Sequence, residues 1–151
     1  MHGPIDDLAG SLLDLIRLLN SPRQDALLLQ TADVDLDRAL FPLLILIGRW
    51  GPLSVAELAE QVGRDPSTIS RQLAKLERLG LIARPPGADR RVRAAAIAPA
   101  GQGAVRAIAT ARRRLLQVAL ETWPSADLQT LARLNRRFVD TLTAAAGGVS
   151  P

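Results

Sequence analysis

Cysteine and tyrosine are both absent from the 151 residues. Without a thiol there is no disulfide, no thiolate metal site and no thiol redox switch. The single histidine is His2, so a nucleophile–base pair built around an imidazole is excluded. The acidic residues are scattered or sit where helices begin. Gly101-Gln102-Gly103 lacks the further glycine and lysine that a phosphate loop needs. These shortages argue against an enzyme, and neither a cofactor nor a metal is expected. No apolar run reaches bilayer length. Met1-His2-Gly3-Pro4 leads into acidic residues and does not read as a signal peptide. A cytoplasmic location is therefore expected.

Lysine is nearly absent too: of 19 basic residues only Lys75 is a lysine. The arginine fork suits phosphates and base edges, but a GC-rich coding sequence gives the same bias. The placement of charge is more telling. Residues 64 to 93 carry eight basic and three acidic groups, net +5, while the rest of the chain sums to −1. Such a patch attracts polyanions; taken alone it is also compatible with an ordinary solvated surface.

Periodicity predicts a mainly α chain. Ile5, Leu8, Leu12, Leu15 and Leu19 recur at helical spacing over 5 to 20, and Leu13, Ile16 and Leu18 widen the apolar face. Ser21-Pro22 starts a short helix. An acidic loop runs from Asp33 to Asp37. Asp37 is placed to cap a strongly apolar helix over about 38 to 49, in which Pro42 removes a backbone bond and offers a kink. Ser54 and Glu57 form a capping box for a short helix, Val55 to Val62. Gly63 and Arg64 make a tight turn. Asp65 and Pro66 then start a helix that runs to about Leu79, ahead of Gly80. Two strand candidates follow, Leu81 to Arg84 and Val92 to Ile97, joined by a hairpin tip. Long helices are expected from Pro99 to about Thr122 and from about Ser125 to Ala146.

Two short helices joined by a tight turn, followed by a hairpin, make a winged helix-turn-helix. In the second helix Ile69, Leu73 and Leu76 fall on one face, which should be the core face. Ser67, Thr68, Arg71 and Lys75 project elsewhere. Small hydroxyls near the N-terminus, with an arginine one turn later, suit phosphates and base edges. Arg90, Arg91 and Arg93 at a proline-stiffened tip suit a minor groove. Asp89 would orient a neighbouring arginine.

The segment from Ser54 to Arg84, followed by Asp89-Arg90-Arg91 and Pro99-Ala100-Gly101, resembles the MarR family of winged helix-turn-helix regulators. The resemblance is strong over about 50 to 101. It maps the family's recognition positions onto Pro66, Ser67, Thr68, Ser70 and Arg71, its minor-groove arginine onto Arg91 and its bracing acid onto Asp89. Ser54, Lys75, Arg90 and Arg93 complete the expected DNA-contacting set. Ala98 stands where the family usually has a capping threonine, and Ala94 where a basic residue is common.

The resemblance also implies a homodimeric repressor on a pseudo-palindromic double-stranded DNA operator. Release by a small aromatic or phenolic effector is implied as well, with Phe41, Arg49 and Trp50 as candidate lining residues. The sequence supports dimerisation independently: residues 1 to 37 carry net −5 and residues 99 to 151 net +4, with wide apolar faces at both ends. The expected organisation is a helical dimerisation region, 1 to 37 plus 99 to 146, around a DNA-binding region, 38 to 98, with a frayed tail from 147 to 151. Ile5, Leu8, Leu12, Leu131, Phe138 and Leu142 are the candidate interface residues. The rival function is a protein-interaction module or anti-repressor on the same fold, lacking sequence-specific DNA binding.

Overall fold

The computed structural model describes residues 3–85 and 94–147. Among these are seven helices and one two-stranded antiparallel pairing. They divide into two compact units, residues 1–113 and 114–151.

In the first unit, α1 (Pro4–Leu19) begins with Gly3 donating its N–H to the Asp6 carboxylate at 2.9 Å. None of its residues is buried, and Ile5 is 76% exposed. Helix α2 (Pro22–Ala32) is longer than the short helix the proline alone signals; Ser21 Oγ caps it, accepting from Gln24 N–H. Asp33, in the left-handed region, ends it.

Helix α3 (Phe41–Trp50) begins later than the predicted 38. Asp37 does cap the chain there: its carboxylate accepts from Ala39 N–H at 2.8 Å, and its carbonyl accepts from Leu40 N–H at 2.9 Å. Arg38–Leu40 form a separate turn, because Pro42 has no N–H to offer the Arg38 carbonyl. In α3 itself Pro42 lies in the first turn, where an N–H has no helical partner anyway. The proline thus marks the helix start and removes no bond from its interior.

Helices α4 (Val55–Val62) and α5 (Pro66–Arg78) follow as predicted. Strand β1 (Ile82–Ala83) pairs with β2 (Ala96–Ile97), Ile82 opposite Ile97 and Ala83 opposite Ala96. A further bridge joins Leu53 to Ala95 through two backbone hydrogen bonds of 2.8 and 3.1 Å. The base of the hairpin is thereby fastened to the link between α3 and α4. Helix α6 (Pro99–Ala119) stops three residues short of Thr122.

Among the described residues the core is aliphatic apart from Phe41, with Leu43, Leu44, Ile47, Leu58, Ile69, Leu73, Leu76 and Ile108 fully enclosed. Each contributes about 2–3 kcal/mol by leaving water. Glycine permits close approaches between elements at Gly48, where a Cβ would meet Val105 Cγ2 at 2.9 Å, and at Gly101, where it would meet the Leu81 carbonyl oxygen at 2.0 Å. The second unit holds the end of α6 and α7 (Ser125–Gly147), which has no buried residue.

Candidate nucleic-acid interface

The helix-turn-helix formed by α4 and α5 is assembled by local signals. Ser54 Oγ accepts from Glu57 N–H at 3.1 Å, and Ser54 N–H donates to Glu57 Oε2 at 2.8 Å. The Ser54 side chain is therefore engaged in the α4 cap. Gly63 takes a φ of +66°, which its lack of a Cβ permits, and turns the chain from α4 into α5.

Asp65 caps α5 and does more than cap it. Its carboxylate accepts from Thr68 N–H at 2.9 Å, from Thr68 Oγ1 at 2.8 Å and from the Ser67 hydroxyl. These bonds, the Ser67 hydroxyl first, hold its pKa well below the usual carboxylate range, and the nearby Arg71 charge acts in the same direction. Arg71 Nη2 donates to Thr68 Oγ1 at 3.3 Å. Asp65, Thr68 and Arg71 thus form a short relay along the first turns. Both hydroxyl protons point at Asp65, so Ser67 and Thr68 offer only lone pairs outward.

Ile69, Leu73 and Leu76 are enclosed, as their spacing requires. This fixes the opposite face: Pro66, Ser67, Ser70, Arg71 and Lys75 are exposed and Thr68 is half-buried. Five of the candidate contacts thus lie exposed on α5, away from its core side. Asp89, Arg90, Arg91 and Arg93 lie outside the described residues.

Arg64 is the residue the sequence reading missed. It belongs to the basic stretch by position, but its Nη1 donates to the Ala39 carbonyl and to Gln72 Oε1, both at 2.8 Å. The first partner is 25 residues away, beyond any local pattern.

The candidate effector residues divide. Phe41 is in the core, whereas Arg49 and Trp50 are exposed at the other end of α3, the guanidinium 5.0 Å from the centre of the indole ring. About 12 Å of helix rise separates the two groups. Among the described residues no cluster of histidine, cysteine and acidic side chains could hold a metal, and no helix is long and apolar enough to cross a membrane.

The MarR family model matches residues 36–92. The uncharacterised HTH-type transcriptional regulator YxaD of Bacillus subtilis (strain 168) is 33% identical over 111 residues, covering 70% of this chain and 78% of YxaD. The chain belongs to the MarR family. Its fold agrees with MarR proteins of known structure. A MarR family protein from Bacillus stearothermophilus superimposes with a TM-score of 0.72 at 22% identity, over 91% of this chain and 97% of that one. Staphylococcus aureus MarR, in complex with salicylate and kanamycin, gives 0.66 at 14% identity, over 93% and 95%. MarR proteins are transcriptional regulators rather than enzymes, and this chain is a transcriptional regulator of the winged helix-turn-helix type.

Proposed function

We propose that this MarR chain is a cytoplasmic repressor that binds a pseudo-palindromic double-stranded operator as a homodimer, with α5 in the major groove and the wing arginines in the minor groove. The observation that carries the reading is the orientation of α5. Its apolar side is locked into the core, which leaves Ser67, Ser70, Arg71 and Lys75 outward. A recognition helix needs that polarity.

The chemistry of the outward face narrows the reading further. With their protons given to Asp65, Ser67 and Thr68 accept hydrogen bonds from the amino groups of adenine or cytosine, while Arg71 suits guanine. Dimerisation is supported by helices whose apolar side chains lack cover within their own unit. Ile5 and Leu8 on α1 and Leu131 and Leu142 on α7 are each more than 40% exposed, and Leu12 and Phe138 are half-buried beside them. A dimer would place two α5 helices about one helical turn of DNA apart.

Release by a small aromatic or phenolic ligand is the finer part of the proposal. The salicylate complex of the S. aureus relative supports it, and the exposed Arg49–Trp50 pair is a cation and a ring at the end of α3.

The test is a fluorescence-anisotropy titration on duplex DNA from the chain's own promoter region, across salt concentrations and with Arg91→Ala. Tight, salt-dependent binding that collapses in the variant is the expected result. Affinity no better than for random DNA would move the function to the protein-interaction module.

A further inference from the structure

Arg64 stands at the turn between α4 and α5, immediately before the α5 cap. Its guanidinium is half-buried and directed inward. One nitrogen, Nη1, bridges the Ala39 carbonyl in the 33–40 loop and the Gln72 side chain on the second turn of α5, both at 2.8 Å. Gln72 lies between Arg71, which faces outward, and Leu73, which is enclosed.

The loop end of this tether is itself fixed. Ala39 N–H donates to Asp37 Oδ1 at 2.8 Å, Leu36 and Leu40 on either side are in the core, and Arg38 Nε lies 3.5 Å from Asp25 Oδ2 on α2. The Ala39 carbonyl is thus a stable anchor.

The apolar seat of α5 resists withdrawal from the core. The enclosed Ile69, Leu73 and Leu76 decide which face of α5 is outward, but apolar burial is non-directional and leaves the fine setting of the helix about its own axis to other contacts. Hydrogen bonds to a fixed carbonyl and to a side chain on the second turn are directional. We propose that Arg64 is a positioning residue for DNA recognition, setting the rotation of α5 against the 33–40 loop without touching DNA itself. The proposal rests on the reading of α5 as the DNA-reading helix.

Base-edge hydrogen bonds depend on angle, whereas phosphate attraction survives small rotations. Loss of the tether should therefore lower discrimination and leave general affinity for DNA in place.

The experiment compares the full chain with Arg64→Ala, Arg64→Lys, Gln72→Ala and the Arg64→Ala/Gln72→Ala double variant. Binding to promoter DNA and to a random duplex is titrated across salt, with thermal melts as the folding control. Arg64→Ala should lower the promoter-to-random affinity ratio about tenfold, as expected when one base contact made by α5 is misaligned. Random-duplex affinity and its salt slope should stay as in the native chain. Arg64→Lys, which keeps a donor near the same oxygens, should recover part of the ratio, and the double variant should be no worse than Arg64→Ala.

Equal weakening on both duplexes, with the salt slope reduced by about one, would make Arg64 a phosphate contact and overturn the proposal. An unchanged ratio in Arg64→Ala and Gln72→Ala would overturn it as well. A native chain without any promoter preference would instead remove the DNA-reading function on which the proposal rests.

Discussion

Helix α6 carries two glycines two residues apart, and the structure assigns them opposite responses to alanine. At Gly101 the added Cβ would lie 2.0 Å from the Leu81 carbonyl oxygen, 2.9 Å from the carbonyl carbon and 2.8 Å from Ile97 Cδ1. A carbon and a carbonyl oxygen approach to about 3.3 Å at closest, so more than an ångström of movement is required. The carbonyl cannot retreat freely, because it accepts the Ala98 N–H at 3.0 Å and so joins the entry of β1 to the start of α6. Overpacking of this kind costs about 1–3 kcal/mol, and loosening a half-buried backbone bond about 1–2 kcal/mol more. Gly101→Ala should therefore lose about 2–5 kcal/mol, and its Tm should fall by roughly 5–15 °C for a chain of this size. At Gly103 nothing lies within 4 Å of the added Cβ. There alanine gains helix propensity, about 0.5–1 kcal/mol, and Tm should rise by roughly 1–4 °C. Far-UV circular dichroism melts of the two variants at one protein concentration make the comparison, since association would shift Tm with concentration. A Gly101→Ala protein that melts at or above the native chain would refute the reasoning, as would two shifts of the same sign.

Two further expectations concern α5 and its cap. Leu73→Ala opens a cavity behind α5, where the side chain is fully enclosed; urea unfolding should show a loss of about 2–5 kcal/mol, and a loss under 1 kcal/mol would mean the site collapses far more readily than its burial implies. Asp65 has a depressed carboxyl pKa in the folded chain, so its contribution is complete above the unfolded value of about 4 and fades as pH falls through the lower folded value. The stability difference between the native chain and Asp65→Ala should be flat from neutral pH to about pH 5 and shrink in stronger acid; a difference unaltered into strong acid would show that the carboxylate charge is irrelevant.

The parts of this fold that could be read from the chain are those set within a turn or two. Ser54 with Glu57, Asp65 with Pro66, and Gly63 between them mark the helix-turn-helix because caps and left-handed turns are made by neighbours. The enclosed face of α5 follows from the spacing of Ile69, Leu73 and Leu76. What escaped the reading depends on partners far along the chain. The Leu53–Ala95 bridge joins residues 42 positions apart, and nothing in the flanking sequence marks Leu53 as a strand residue. Arg64 reads as one more surface cation until its bond to the Ala39 carbonyl is seen. Ser67 and Thr68 were legible as outward hydroxyls, but the direction of their protons depends on how the Asp65 carboxylate is turned. The start of α3 was misplaced for a local reason: Pro42 leaves the Arg38 carbonyl without a helical donor, and the preceding turn stands apart.

Lys75 is the only lysine in the chain, and it is exposed on α5 next to the enclosed Leu76. A lysine-specific endoprotease has therefore one peptide bond to cut, Lys75–Leu76, and that bond lies inside a helix. Cleavage requires an extended segment in the protease cleft, so α5 must unravel and Leu76 must leave the core before the bond is accessible. When reclosing outpaces cutting, the nicking rate reports the population of that opened form. Timed digestion of the unlabelled protein thus meters every opening that includes α5, and if α5 is the DNA-reading helix a duplex that engages it should slow the cut in proportion to its occupancy.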